Sequence, residues 1–244
     1  MKNKKIFALG LSALLSIVLV AGCKENKKAE ANPPKPVEVK KEIVVKPELP
    51  KVDIVDKRIK WNQDRENLMR EYAKTHYGLD TINIVPKVIV EHWTASGTWE
   101  SCYNHFYNVS MEDDGGGRLN VASHFLVARD GTIFRLTEET ALNRHSIGYN
   151  HCAIGIENVG GVDGREDLTK EQLEANIKLI RYWKAKYPTI EYVWGHYQQN
   201  EAKASGLHIE KVPDYYAGKP DPGPKFMRGL REALADTDIK FYKE

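Results

Sequence analysis

Cysteine is scarce in this chain, with three in 244 residues, and none falls in a Cys-x-x-Cys pair. That excludes the local cysteine spacing of a zinc knuckle or a dithiol redox motif. No His-Glu-x-x-His segment occurs either, so any metal site must assemble from distant parts of the chain. Charge of one sign is missing too. The net charge is +2, which gives no basic imbalance for nucleic acid to read. There are no internal repeats. The one long apolar run, 6–21, is shorter than the roughly 20 residues a spanning helix needs.

That run follows Lys2, Lys4 and Lys5 and reads as a secretory signal, 1–22. It ends Leu19-Val20-Ala21-Gly22-Cys23, which resembles the lipobox of bacterial lipoproteins. The resemblance implies that Cys23 is lipidated and becomes the mature N-terminus. Residues 23–51 are rich in Lys and Glu and carry Pro33, Pro34, Pro36, Pro47 and Pro50. So polar a segment cannot offset its ordering entropy, and the prolines keep it extended. It is expected to tether the membrane to a single domain, 52–244, of about 190 residues, long enough for a sizeable core. Lys24 does not resemble the inner-membrane retention signal of enterobacterial lipoproteins. The expected location is therefore the cell envelope, on the outer membrane facing the periplasm. Cys102 and Cys152 could pair outside the cytoplasm, but free thiols are favoured.

Within the domain, apolar positions recur at helical spacing over 61–76, with Gly78 as the stop. The β-branched run 85–92 reads as a buried strand. Asp130-Gly131 joins two strand-like runs, 124–129 and 132–136, which predicts a hairpin. Residues 153–158 form another buried strand, and Gly155 within it signals a close approach of other atoms. Thr169 and Gln172 make a capping box for a helix whose stripe is Leu173, Ile177, Ile180 and Trp183. A last strand covers 190–196 and a last helix 226–235. This mixture predicts an α/β fold, a mixed central sheet flanked by helices.

Two histidines end strands: His92 after "VIVE" and His196 after "YVWG". Such a position is held by a rigid element yet opens on a surface. Two imidazoles and a carboxylate make a catalytic zinc site with one open position. Asp221 is the candidate carboxylate, in "GKPDPGPKF", a segment too rich in proline and glycine to be helix or inner strand. Such a frame fixes Lys219 and Asp221 stiffly, two residues apart. On spacing alone these three residues remain one possibility among eight histidines.

The strings "VIVEHWTAS", "SHFLVARDGTIFRL", "AIGIENVG", "VWGHY" and "KPDPGPKF" occur in the order and approximate spacing of the type 2 N-acetylmuramoyl-L-alanine amidases. That family includes cell-wall amidases, phage endolysins and peptidoglycan recognition proteins. The resemblance spans about 61–234. It implies one Zn2+ per chain, held by His92, His196 and Asp221. It implies that Glu157 takes a proton from the attacking water and that Lys219 stabilises the oxyanion. The bond cut would join N-acetylmuramic acid to L-alanine in peptidoglycan or muropeptides.

His145, near the family's His-Ala-Gly pattern, is expected to touch substrate, with Asn143 and Arg144 in the same groove. Thr94 is expected to support ligand geometry, and Trp93 either does so or belongs to the core. His124 is expected to be structural, and His76, His105 and His151 to have no part in the chemistry. His208 and Asp214, in the irregular insertion between His196 and Asp221, are assigned to no metal. A monomer is expected. The competing readings are a lipoprotein that binds peptidoglycan without cutting it and an inert tether of membrane to wall.

Overall fold

The computed structural model describes residues 49–243. The signal 1–22, Cys23 and most of the tether lie outside the described residues. Six strands form one mixed sheet: β1 (Ile54–Asp56), β2 (Val88–Trp93), β3 (Phe125–Val127), β4 (Ile133–Arg135), β5 (Ala153–Asn158) and β6 (Tyr192–Gly195). Their order across the sheet is β1-β4-β3-β5-β2-β6. Only β3 and β4 run antiparallel, around the expected Asp130-Gly131 turn. Gly131 takes φ 84°, and Asp130 accepts a hydrogen bond from the Thr132 amide at 2.9 Å. The remaining pairs are parallel. β2 and β5, in the middle, are buried along their whole length, as strands covered on both faces must be.

Four helices accompany the sheet: α1 (Gln63–Tyr77), α2 (Trp99–Tyr107), α3 (Lys170–Lys186) and α4 (Pro224–Ala233). α1 starts two residues later than the apolar spacing suggests, because the Asn62 side chain caps the Arg65 amide at 3.1 Å. It stops at Gly78, which is left-handed at φ 71°. The Thr169–Gln172 capping box of α3 is present in both directions. α4 begins with Pro224 at its first turn, where the missing N–H costs nothing.

One expectation is corrected at α3. Leu173 and Ile177 are only half-buried, while Gln172 and Asn176 are fully buried beside Ile180 and Trp183. A polar network draws them in. Gln172 Nε2 donates to the carbonyls of Val127 and Val159. Asn176 Nδ2 donates to Asn158 Oδ1 at 2.7 Å, and Asn158 Nδ2 donates to Glu91 Oε2 at 3.1 Å. α3 and α4 cover one sheet face over Ile89, Phe125, Ile154 and Val193. Trp183, fully buried, meets the Phe125 ring edge-on at 4.7 Å. Cys102 and Cys152 are free and sit in separate apolar clusters. Burial pushes both thiols up, Cys152 to about 12.

Candidate metal centre and cleft

Side chains alternate along a strand, so Glu91 and His92 leave opposite faces of β2. Glu91 joins the network under α3. His92 leaves the other face, where the parallel register sets it directly beside Glu157 of β5. β6 ends opposite Glu91 at Gly195, and the next residue, His196, opens a short 3-10 turn beside His92. The Asp221 loop is tied to that turn by the Tyr197 amide, which donates to the Asp221 carbonyl at 2.9 Å.

The result is a group of three buried side chains, His92, His196 and Asp221, whose ligand atoms lie within 4.8 Å of one another. Asp221 Oδ2 is 3.0 Å from His92 Nδ1 and 3.3 Å from His196 Nδ1. Burial would raise the Asp221 carboxyl, but the adjoining His196 and His92 rings outweigh it and hold the group below the usual carboxylate range. Burial, with the neighbouring His196, pushes the His92 ring down to about 4. The imidazole is therefore neutral at neutral pH.

The tautomer of that neutral ring follows from its neighbours. His145 Nε2 lies 3.3 Å from the Ala153 carbonyl, which can only accept. His145 Nδ1 is then the acceptor, and it faces His92 Nε2 at 3.1 Å. The His92 proton must sit on Nε2, so its Nδ1 lone pair points at a carboxylate oxygen. Two lone pairs at 3.0 Å repel unless a cation lies between them. The donor set of two imidazole nitrogens and a carboxylate fits a zinc ion, and the hydrogen bond on the far ring nitrogen is the support a metal-ligating histidine needs.

Gly155 makes this chain possible. A Cβ there would lie 2.7 Å from His145 Nδ1, which is the close approach its place in a strand signals. Asn150 fixes the loop by accepting from the amides of His145 and Ser146 at 2.9 and 2.7 Å.

The centre floors a cleft of about 840 Å³, lined also by Trp93, Thr94, Glu157 and Lys219. Glu157 is 9% exposed. Ser123 Oγ donates weakly to its Oε1 at 3.4 Å, and Oε2 has no partner. Burial, then the Asp221 charge, pushes its carboxyl well above the ordinary value. Lys219 is exposed on the cleft wall. Thr94 Oγ1 accepts from the amides of Ser96 and Gly160, so it braces the loop after β2. Trp93 is buried yet reaches the cleft.

The expected groove residues divide. His145 lines the cleft, but both its ring nitrogens are engaged within the protein. Asn143 does not reach the cleft; it is buried and donates to Thr137 Oγ1 at 2.6 Å. Arg144 lines the cleft with its guanidinium bonded to protein acceptors. His124 is structural, as expected: its Nε2 donates to the Ala141 carbonyl and its Nδ1 accepts the Gly155 amide. His208 and Asp214 lie away from the three ligands, on a neighbouring hollow. Ser123, Asp114 and Tyr215 were not legible as site residues. Each reaches the site or its cleft through tertiary contacts that no local motif announces.

The N-acetylmuramoyl-L-alanine amidase family model matches residues 83–224, and the chain belongs to that family. The matched span holds His92, Glu157, His196, Lys219 and Asp221. The endolysin of Escherichia phage T7 is 37% identical over 75 residues, 29% of this chain and 50% of the phage protein. The endolysin of Enterobacteria phage K11 is 32% identical over 76 residues, 30% of this chain and 50% of its own length. The chain thus spans about half the length of the curated relatives it matches. Among solved structures, the N-acetylmuramoyl-L-alanine amidase LysC from Clostridium intestinale URNW superposes with a TM-score of 0.50 at 24% identity. That likeness covers 78% of this chain and all of the other, and it shows the shared fold.

Proposed function

We propose that this chain is a zinc-dependent amidase that hydrolyses the amide between N-acetylmuramic acid and L-alanine in peptidoglycan or muropeptides. The observation that carries the reading is the His92 lone pair facing Asp221 and His196 at the floor of a cleft, with Glu157 beside it. Family membership points to the same bond. A zinc ion bound by His92, His196 and Asp221, one per chain, supplies Lewis acidity, brings a water's pKa toward about 7 and favours ionised carboxylates nearby.

Glu157, whose Oε2 is unpaired, takes the proton of the attacking water and returns it to the leaving nitrogen. Lys219 reaches over the cleft to the carbonyl oxygen as negative charge develops there. His145 holds the His92 ring, and Ser123 holds Glu157. Cleavage frees a glycan from a stem peptide that begins at L-alanine.

The sequence features before the domain support an envelope setting. Lipidated Cys23 anchors the chain in the outer membrane, facing the periplasm, and 23–51 tethers the monomeric domain, 52–244, within reach of the wall. Incubation of the purified protein with muropeptides tests the activity by mass spectrometry. Free stem peptide beginning at L-alanine, lost on chelation, is the expected product. Intact muropeptides despite bound zinc and measurable binding would leave the non-catalytic binding reading in its place.

A further inference from the structure

The second and third ligands are separated by an insertion, 199–217, whose base is closed on itself. The Gln199 side-chain amide donates to the Ala217 carbonyl, and the Tyr149 hydroxyl donates to the Gln199 carbonyl at 2.9 Å. Against the insertion lies a second irregular element, the turn 113–117, sequence "DDGGG". Asp113 folds it by accepting from the Gly115 and Gly117 amides, and Asp114 by accepting from Gly116. The turn is based on a short antiparallel pairing, with the Met111 amide donating to the Arg118 carbonyl and the Asn120 amide to the Val109 carbonyl, and the insertion holds one 3-10 turn, Glu201–Ser205.

Arg144 bonds to both. Its Nη1 donates to the carbonyls of Gly117 at 3.1 Å and Leu119 at 2.8 Å. Its Nη2 donates to Asp114 and to the Tyr215 hydroxyl at 2.7 Å, and Nε donates to the same hydroxyl at 3.2 Å. All five guanidinium hydrogens thus have acceptors inside the protein, leaving none for a ligand. His76 repeats the pattern beneath. Its Nδ1 meets Glu210 Oε1 at 2.8 Å in the insertion, and its Nε2 meets the Gly116 carbonyl at 3.1 Å in the turn. The junction leaves no room: a Cβ on Gly116 would lie 2.2 Å from the Tyr215 hydroxyl and 2.5 Å from Arg144 Nη2. Arg144, Asp114 and Tyr215 all line the cleft. Tyr215 and Ile147 also line an adjoining hollow of about 510 Å³ in the insertion.

We propose that Arg144, seconded by His76, is a positioning residue that fastens the turn 113–117 and the insertion 199–217 into one wall of the cleft. That wall holds the part of a muropeptide lying beyond the scissile amide. It sets affinity for the substrate and leaves the bond-breaking step alone. The substrate half of this statement rests on the amidase reading; the latch does not.

Two variants of the full chain test it. Tyr215→Phe keeps the ring and removes the shared acceptor; Arg144→Lys keeps the charge but offers one nitrogen to acceptors in both segments. Amide hydrogen exchange is expected to rise about tenfold in 113–117 and 205–217 together, with β2 and β5 unchanged. A rise confined to one of the two segments, or no rise at all, overturns the latch. With muropeptides, KM is expected to rise about tenfold while kcat stays within about twofold. A fall in kcat at constant KM would put Arg144 in the reaction itself and overturn the positioning role. If the wild-type protein cleaves nothing, the amidase reading fails, and the exchange result still decides the latch. Tyr215→Phe removes one hydroxyl from a half-buried site, so it carries the test if Arg144→Lys does not fold.

Discussion

Replacing Glu91 by glutamine is expected to stabilise the metal-free protein at pH 8 and to do little at pH 4. Glu91 is fully buried under α3, with Oε2 bonded to Asn158 and Oε1 without a partner. Asn176 Oδ1, in the same network, is also an unpaired acceptor. The site therefore wants a donor, which a protonated carboxyl or an amide supplies and a carboxylate does not. Burial pushes the Glu91 carboxyl up to about 8 from its ordinary 4.5.

The native state then holds a proton that the unfolded chain releases between those two values, so stability falls as pH rises through that window. The interval from 4.5 to about 8 is about 3.5 units at 1.36 kcal/mol each, and half-titration at pH 8 leaves about 4 kcal/mol. Buried neutral histidines such as His92 and His124, both held near 4, work in the opposite sense: stability from them grows as pH rises toward 6.5. They cancel when the variant is compared with the wild type at each pH. Urea unfolding of chelator-treated protein at pH 4 and pH 8 measures the difference. A gap between variant and wild type that is the same at both values, or a variant less stable at pH 8, would refute the reasoning.

Glu157→Gln keeps the side chain's shape and removes its basicity; hydrolysis should fall by about 10²–10⁴ with zinc stoichiometry unchanged by metal analysis. Lys219→Met should lower kcat by about 10²–10³ with Tm unmoved, since Lys219 is exposed; a change in KM alone would deny it the oxyanion. His145→Ala should weaken zinc binding about 10–100-fold in a chelator competition, with His145→Gln recovering part of the loss by offering an acceptor again. Gly155→Ala should imitate His145→Ala, because its methyl displaces the His145 ring; unchanged zinc affinity would separate Gly155 from the metal centre.

The elements that were legible are those whose cause is local. The Thr169–Gln172 capping box, the Asp130-Gly131 turn and the β-branched runs of β2 and β5 act over a few residues, and the sequence shows them whole. β1 is three residues long and carries no pattern that distinguishes it from the tether. α2 places Cys102 and Phe106 on its buried side after an N-cap at Thr98, but much of its surface is polar or exposed. The face of α3 was misplaced for a physical reason: apolar periodicity cannot see a buried face built from Gln172 and Asn176, whose burial is licensed by hydrogen bonds to partners far off in sequence. The same blindness hid the roles of Arg144 and His145. Each reads as a groove residue by its place in the chain, and each is spent on hydrogen-bond partners that only the tertiary fold brings near.

In the sequence the candidate metal centre showed two histidines at strand ends, and the full ligand set came from the family resemblance; the structure supplies the reason, since parallel strands converge functional residues at one end. β2, β5 and β6 run in the same direction, so the residues at their C-terminal ends meet there. His92, Glu157 and His196 come from three such ends, and neighbouring parallel strands present them on one face without any loop having to find its way. Asp221 is the exception. It follows the insertion, in a segment without helix or strand, and must be brought to the other two. Proline at 220, 222 and 224 restricts the unfolded loop as well as the folded one, so less entropy is lost when Asp221 arrives. A stiff turn is what a ligand supplied by a loop requires and what ligands supplied by strand ends do without. "GKPDPGPKF" is thus proline-rich because its aspartate alone among the three ligands has no sheet to hold it.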